Sequence, residues 1–367
     1  MKIISLFNNK GGVGKTTLAF HLSHILANMG HKTLMIDLDP QCNLTICAMN
    51  EEQLHEIWKE EDEFIEDFGS ARKKIGEQEF SKIINKPRTI HFQLKPTEDG
   101  LDGLKELPPP VVINKNLNLI PGRLTIHKFE NKISERWSAT YQGDPLAIRT
   151  ITDIRSIAEK YAEIYGYEFI VIDTSPSLGI LNKVIISTVD GFLIPASPDM
   201  FSLYGIRNIG GALTQWKKEF MTMYTLISKE KRSKFPSSFV RFLGYTIYNA
   251  KKYTGKSNNA WDLAQAHFNY AQEIPSTINQ YITEEIRGHL SLDQVKDPIG
   301  GTAVMHSHNT MSGSAQKYNQ PIWGIPGANL DAEDRSTISG NQARYTETKD
   351  KYLHFAEDFL ERVKTLN

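Results

Sequence analysis

The sequence predicts an α/β fold: a mostly parallel, twisted sheet flanked by helices, with helical insertions. Three observations predict it. The apolar run Lys2-Ile-Ile-Ser-Leu-Phe7 feeds a glycine-rich stretch, and Leu18, Ala19, Leu22, Ile25, Leu26 and Met29 then recur at helical spacing. Two further short apolar runs, Thr33 to Leu38 and Tyr167 to Asp173, are each tied to an aspartate at the C-terminal end. Strand-like and helix-like segments alternate along most of the chain, as in a parallel sheet covered on both faces.

The glycine-rich stretch, Asn8 to Thr17, reads Asn-Asn-Lys-Gly-Gly-Val-Gly-Lys-Thr-Thr. Between a strand and a helix N-terminus, such a loop aims backbone N–H groups and the positive helix end at one place, which suits a phosphate chain. Gly11, Gly12 and Gly14 permit a close approach of backbone to ligand. Lys15 supplies an ammonium for the β- and γ-phosphates, and the Thr16 hydroxyl suits Mg²⁺. Asn9 stands where the ordinary phosphate-loop consensus has glycine, and a second lysine, Lys10, follows it.

The remaining elements follow in order. Gly30 caps the first helix, and Thr33 to Leu38 forms a second buried strand ending in Asp37-Leu-Asp-Pro-Gln41. Asp37 and Asp39, two apart, share one face beside the phosphate site. Glu51 to Phe68 reads as an acidic amphipathic helix packed on the core, with a docking face for a basic partner peptide as the alternative, and Thr89 to Leu94 as a short strand or hairpin arm. Pro108-Pro109-Pro110 is an extended connector, and Leu117 to Pro121 is a strand. Asp144 and Pro145 sit before a helix that runs to about Tyr165. The next strand delivers Asp173 at its C-terminal end, positioned to accept from a Mg²⁺ water shell opposite Thr16. Leu178 to Ser187 is a helix, Asp190 to Pro195 a strand, Ser202 to Phe220 a long helix, and Phe242 to Asn249 the last core strand. Helices are expected over Ala260 to Tyr270, Ile278 to Leu290 and Tyr345 to Leu366, with loop at 326–342.

Composition narrows the class. The chain has 367 residues and a net charge of −1, so no global charge announces a nucleic-acid partner. The two cysteines, Cys42 and Cys47, give no disulfide framework and fit a reducing cytoplasm. No apolar run is long enough to span a bilayer. The first apolar stretch runs into the phosphate loop, so a signal peptide is not expected. Residues 1–367 are expected to form a single domain, with insertions at about 50–116 and 251–300.

Lys10-Gly-Gly-Val-Gly-Lys-Thr-Thr17 resembles the deviant Walker A motif of the ParA/MinD superfamily of P-loop ATPases. The resemblance covers residues 1–49 and about 117–250 well, and the terminal helix loosely. It implies ATP and Mg²⁺ as cofactors, held by Lys10, Gly11, Gly12, Val13, Gly14, Lys15, Thr16 and Thr17. It implies that Lys10 reaches across a homodimer to the partner's nucleotide, acting as an arginine finger does. Asp37-Leu-Asp-Pro-Gln41 is similar to the family's Asp-x-Asp-Pro-Gln motif, which implies that Asp39 serves the attacking water and Asp37 a Mg²⁺-bound water. Thr16, Asp37 and Asp173 are the implied metal residues; Lys10, Lys15 and Asp39 are the implied catalytic ones. Asn249 is implied to lie near the adenine. Two departures stand out: Cys42 where the family usually has glycine, and Ser175 where it usually has proline.

The implied function is a nucleotide switch for DNA partitioning or cargo positioning, stimulated by a ParB-like partner and acting through non-specific DNA. Basic clusters for that contact are Lys229, Lys231, Arg232 and Lys234, then Lys251, Lys252 and Lys256. A MinD-like membrane ATPase and a protein-regulating switch are the alternatives. The terminal helix carries Glu357, Asp358 and Glu361, which disfavours a lipid-binding face. Cys42 and Cys47 lie in the wrong region for the iron–sulfur branch of this fold, and no motif marks the metabolite pocket of a ligase.

Overall fold

A computed structural model describes residues 1–248, 250–252, 259–308 and 310–366. Among these residues the centre is a seven-stranded sheet. Its strands are β1 (Lys2–Leu6), β2 (Thr33–Asp37), β3 (Val111–Asn114), β4 (Leu117–Ile120), β5 (Phe169–Asp173), β6 (Gly191–Ala196) and β7 (Arg241–Ile247). The spatial order is β3-β4-β2-β5-β1-β6-β7. Every neighbouring pair is parallel except β3 and β4. The parallel strands are buried on both faces, which is why they read as unbroken apolar runs.

Helices cover both faces. On one lie α1 (Lys15–Asn28) and the terminal helix, Gln342–Lys364. Leu18, Leu22 and Ile25 meet Tyr352, Phe355 and Phe359 there, over Ile4, Leu6 and Val171. The apolar side of the terminal helix is thus spent on the core. The other face is covered by helices that include Pro145–Tyr165, Ile180–Thr188 and Met200–Leu226.

Between β2 and β3 the chain forms α2 (Asn43–Ala48), α3 (Glu51–Glu66), α4 (Phe68–Ile84) and α5 (Ile90–Glu98). The helices that follow are α6 (His127–Arg136), α7 (Pro145–Tyr165), α8 (Ile180–Thr188) and α9 (Met200–Leu226). Helices α3 to α5 enclose a small aromatic core of their own, with Phe64, Phe68, Phe80 and Phe92 in mutual edge or tilted contact. The Tyr161 hydroxyl on α7 lies 3.0 Å from Gln93 Oε1 and 2.6 Å from Pro108 O, tying α5 and the proline connector to the main body.

Three expectations change, and one strand is added. Thr89 to Leu94 is not a strand: Thr89 caps α5 by accepting from Phe92 N. All nine residues of α5 are buried, so no amphipathic period is visible, and the alternation of large and polar residues imitates a strand. The triple proline leads directly into a strand, β3, which bends back along β4. The stretch from Ile278 to Leu290 divides into Ile274–Tyr281 and Glu284–Arg287, because Ile282 and Thr283 are extended. Within 326–342 a helix forms at Ala332–Gly340, holding one buried side chain, Ile338.

Helix α9 packs closely against Ile274–Tyr281. A Cβ on Gly210 would stand 2.3 Å from Tyr281 O, whereas one on the adjacent Gly211 would meet nothing within 4 Å. Gly210→Ala is expected to lower unfolding free energy by about 1–3 kcal/mol. Gly211→Ala should be neutral, or stabilising by up to about 1 kcal/mol. Denaturant unfolding of the two variants checks this, and equal effects would remove the close approach as the cause.

Candidate active site

The site forms where β1, β2 and β5 end. Register alone brings its acids together: Leu6 and Asp37 both stand opposite Asp173 on the neighbouring strands. The loop from Asn8 to Gly14 leaves β1 and turns into α1. Asn8 fixes its start, donating from Nδ2 to Pro195 O (2.7 Å) and accepting from Lys10 N (2.9 Å). Gly12 and Gly14 have φ of 74° and 82°, the left-handed region that side chains avoid. A Cβ on Gly14 would also fall 2.0 Å from the Tyr248 ring. Sequence reading misses Tyr248, which lies one residue past β7 and supports the loop from below.

Lys15 is buried, and its ammonium donates to Lys10 O at 3.3 Å. Burial lowers its pKa, against the opposing charges of Asp173 and Asp39. The Thr16 hydroxyl donates to Asp173 Oδ2 at 2.7 Å. Asp173 Oδ1 is buried with no hydrogen-bond partner. Burial, and then the nearby Asp37 charge, push the Asp173 carboxyl up to about 8. A hydroxyl beside a carboxylate with one free buried oxygen is a fitting donor set for a hard divalent cation and its waters.

Asp37 is fully buried and already engaged. Its Oδ1 accepts from Asp39 N (3.1 Å), and its Oδ2 accepts from Thr45 N (2.8 Å) and Thr45 Oγ1 (2.6 Å). Burial raises its pKa to about 6. Asp39 Oδ1 accepts from Gln41 N at 2.9 Å, and the Asp39 side chain lines the cleft. Gly11, Gly12, Gly14, Lys15, Thr16, Thr17, Asp39 and Pro176 enclose a space of about 320 Å³ with Asn43, Cys47 and Gln316. The last three carry no sequence signal. Val13 is fully buried beneath the loop. Asn249 and Lys256 lie outside the described residues.

The two departures from the motif have structural readings. Cys42 sits at φ 54°, a left-handed residue at the start of α2 where glycine is unstrained. Burial pushes its thiol well up, and that of Cys47 to about 12, so both are held as thiols. Ser175 lies in a loop that Asn182 clamps, donating to Ser175 O and Ser177 O at 2.8 Å each.

Lys10 is outside the cleft. Its ammonium is ion-paired with Asp199, the residue preceding α9, and lies 6.0 Å from the Phe201 ring centroid. In the first basic cluster, Lys231 donates to Gly143 O (2.5 Å) and Arg232 to Thr225 O (2.8 Å) and Ile227 O (3.1 Å), so these two are structural. Lys229, Lys234, Lys251 and Lys252 are exposed.

The AAA_31 family model, an AAA domain, matches residues 1–225, more than half of the chain. The chain belongs to the ParA-type P-loop ATPase family. This ParA-type chain is 31% identical over 209 residues to the protein MJECL24 of Methanocaldococcus jannaschii, covering 56% of this chain and 63% of that one. It is 27% identical over 251 residues to the probable plasmid-partitioning protein ParA of Thermus thermophilus, covering 68% and 59%. It therefore spans less than two thirds of either relative. Among solved structures, pNOB8 ParA bound to nonspecific DNA matches with a TM-score of 0.53 at 18% identity, covering 99% of this chain and 98% of that one. The ATP complex of Cyanothece McdA matches with a TM-score of 0.57 at 15% identity, covering 99% and 96%. At these identities the likeness is one of fold. No helix among the described residues is long and apolar enough to cross a membrane.

The raised pKa of Asp173 has a consequence for stability. An unfolded aspartate ionises near about 4, so between there and about 8 the folded chain holds a proton that the unfolded chain has released. That contribution is fully present at low pH and is lost as pH rises through 8. Thermal unfolding of metal-free, nucleotide-free protein should therefore show Tm falling relative to Asp173→Asn between about pH 5.5 and about pH 8.5. Parallel pH profiles would mean that Asp173 ionises normally.

Proposed function

We propose that this chain is a Mg²⁺-dependent ATP hydrolase that forms an ATP-sandwich homodimer and acts as a nucleotide switch in DNA partitioning or cargo positioning. The observation that carries the reading is the division of labour between the two lysines. Lys15 is buried inside the cleft with Thr16, Asp39 and Asp173, while Lys10 is held at its rim on Asp199. A lysine held outside its own cleft supports a role at another.

In this reading the loop amides and Lys15 bind the β- and γ-phosphates. Thr16 and the free oxygen of Asp173 would hold Mg²⁺, which would supply neutralisation of phosphate charge. Asp39 orients the attacking water. Lys10 leaves Asp199 and stabilises the transferring phosphoryl group in the partner subunit.

An apolar rim supports the dimer. Phe201 is 67% exposed, Tyr204 55% and Met200 45%, all at the start of α9, where Phe201 neighbours Lys10, and Leu178, on the loop after β5, is 38% exposed. Such a patch marks a contact surface. The DNA contact is assigned to exposed lysines, Lys229, Lys234, Lys251 and Lys252, through phosphate neutralisation. That a neighbour of the same fold has been solved bound to nonspecific DNA supports a DNA contact, without bearing on which lysines make it. A ParB-like protein is the proposed stimulator of hydrolysis.

The Asp39→Ala protein with Mg-ATP should accumulate as a dimer and co-sediment with random-sequence duplex DNA, with an affinity that falls as salt rises. A variant that hydrolyses ATP at the parental rate would remove Asp39 from the mechanism. Lys10→Ala should bind nucleotide and stay monomeric. Asp199→Ala should dimerise at a two- to five-fold lower ATP concentration, roughly the strength of a half-exposed ion pair. An unchanged midpoint would show that Asp199 does not restrain Lys10.

A further inference from the structure

The sheet has a second cavity at the edge opposite the nucleotide cleft. It opens where β1, β6 and β7 begin and has a volume of about 350 Å³. Lys2 of β1, Arg155 of α7, Asp190 just before β6, Arg241 of β7 and His289 line it, together with the exposed Ser237 and Ser238. None of these residues lines the nucleotide cleft. Three bases stand in this lining against one acid.

The acid is already engaged. Asp190 Oδ1 accepts from Arg155 Nη1 (3.0 Å), and its Oδ2 accepts from Ile3 N (2.8 Å). Arg155 Nη1 also donates to Thr188 O (2.5 Å) and Nε to Glu159 Oε1 (2.7 Å), so Nη2 is the donor this guanidinium has left. Lys2 Nζ donates to a backbone carbonyl, Leu366 O, at 3.2 Å. The Arg241 guanidinium has neither an ion pair nor a hydrogen bond among the described residues.

His289 is an independent sign. Both of its ring nitrogens are shut off from solvent and have no hydrogen-bond partner. The Phe242 backbone lies near the ring, but outside hydrogen-bonding geometry. Burial, and then the Arg241 charge, lower the pKa of the ring to about 4, so at neutral pH it is an uncharged donor rather than a fourth cation. A buried polar group without a partner is uncommon, because nothing compensates its lost hydration. A turn of this ring toward the cavity would give it an acceptor there.

We propose that this cavity binds a small phosphoryl-bearing anion, inorganic phosphate or a phosphate monoester, independently of the nucleotide. A dianion answers the surplus of positive charge, and charge-assisted hydrogen bonds from Arg241, Lys2 and Arg155 Nη2 meet its oxygens from different directions. The His289 N–H and the hydroxyls of Ser237 and Ser238 supply neutral donors. The Arg155 side chain is 12% exposed, so its charge is reached from within the cavity and not by the backbone of a duplex lying across the surface. The proposal stands apart from the ATPase reading.

The test is calorimetric titration of inorganic phosphate, and separately of ribose 5-phosphate, into the full chain saturated with Mg-ADP at fixed ionic strength. Lys2→Gln/Arg241→Gln should weaken binding at least about tenfold, one decade in Kd. Lys73→Gln/Lys115→Gln makes the same charge change at exposed sites elsewhere and should leave it within about twofold. His289→Phe keeps the ring and removes its nitrogens, and Ser237→Asp/Ser238→Asp adds charge at exposed positions without disturbing packing; each should weaken binding at least about threefold. The tighter of the two ligands identifies the source of the phosphoryl group. Parental affinity in the Lys2/Arg241 or the His289 variant, or equal weakening by the Lys73/Lys115 control, overturns the proposal. So does displacement of phosphate by random-sequence duplex DNA, or binding that appears only when Asn367 is deleted, since the chain's own end is then the occupant. A chain that binds no ADP would sink the ATPase reading, while Lys15→Ala, which removes the lysine of the glycine-rich loop, should still bind phosphate in the cavity within about twofold of the parent.

Discussion

Two carboxylates are forced together in the interior, and much of the site exists to manage them. The register of β2 on β5 sets Asp37 beside Asp173 at the same edge of the sheet, both with no exposure to solvent. Adjacent buried negative charges are costly unless donors or cations answer them. Asp37 is answered by three donors from its own chain. Asp173 is answered by one hydroxyl and keeps an oxygen free. That asymmetry separates a carboxylate used to hold structure from one available to a cation. Burial lowers the pKa of Lys15 nearby, and the carboxyls of Asp173 and Asp39 only partly oppose it.

The strands and the phosphate loop were legible because their physics is local. A five-residue apolar run, a left-handed glycine and a helix start are all written within a few positions of one another. What was not legible depends on distant partners. Helix α5 is buried on every side by α3, α7 and its own aromatic neighbours, so its sequence shows no face. Tyr248, Asn182 and Gln316 reach the site from far along the chain, and each is an ordinary residue in sequence. The parking of Lys10 on Asp199 spans 189 positions, so no spacing rule announces it. The ParA-type resemblance assigned a role to Lys10 but not the place where a single subunit keeps it.

The segment between β2 and β4 is more than an elaboration of the surface. Its aromatic core makes it a packed unit, and its hydrogen bonds converge on the loop Pro121–Arg123. Ile90 N donates to Pro121 O, and Arg123 reaches Glu61, Asp62 and the Trp58 carbonyl. Glu61 has no exposure and accepts from both the amide and the hydroxyl of Thr89, so the segment closes on itself around a buried acid. The segment and the acid end of β2 are therefore neighbours in bonding, although 77 positions separate Gly122 from Thr45, whose hydroxyl holds Asp37.

The tether on Lys10 also bears on timing. Its ion pair is about one quarter exposed on one side and more than one third on the other, and exposed pairs of this kind are worth about 1 kcal/mol or less. A bond so weak opens at the pace of side-chain rotation, on the order of nanoseconds. Release of Lys10 is then never the slow event in assembly. In a switch built this way, Asp199 sets how much of the population is poised, and the clock must reside elsewhere, in nucleotide turnover or in the arrival of a partner.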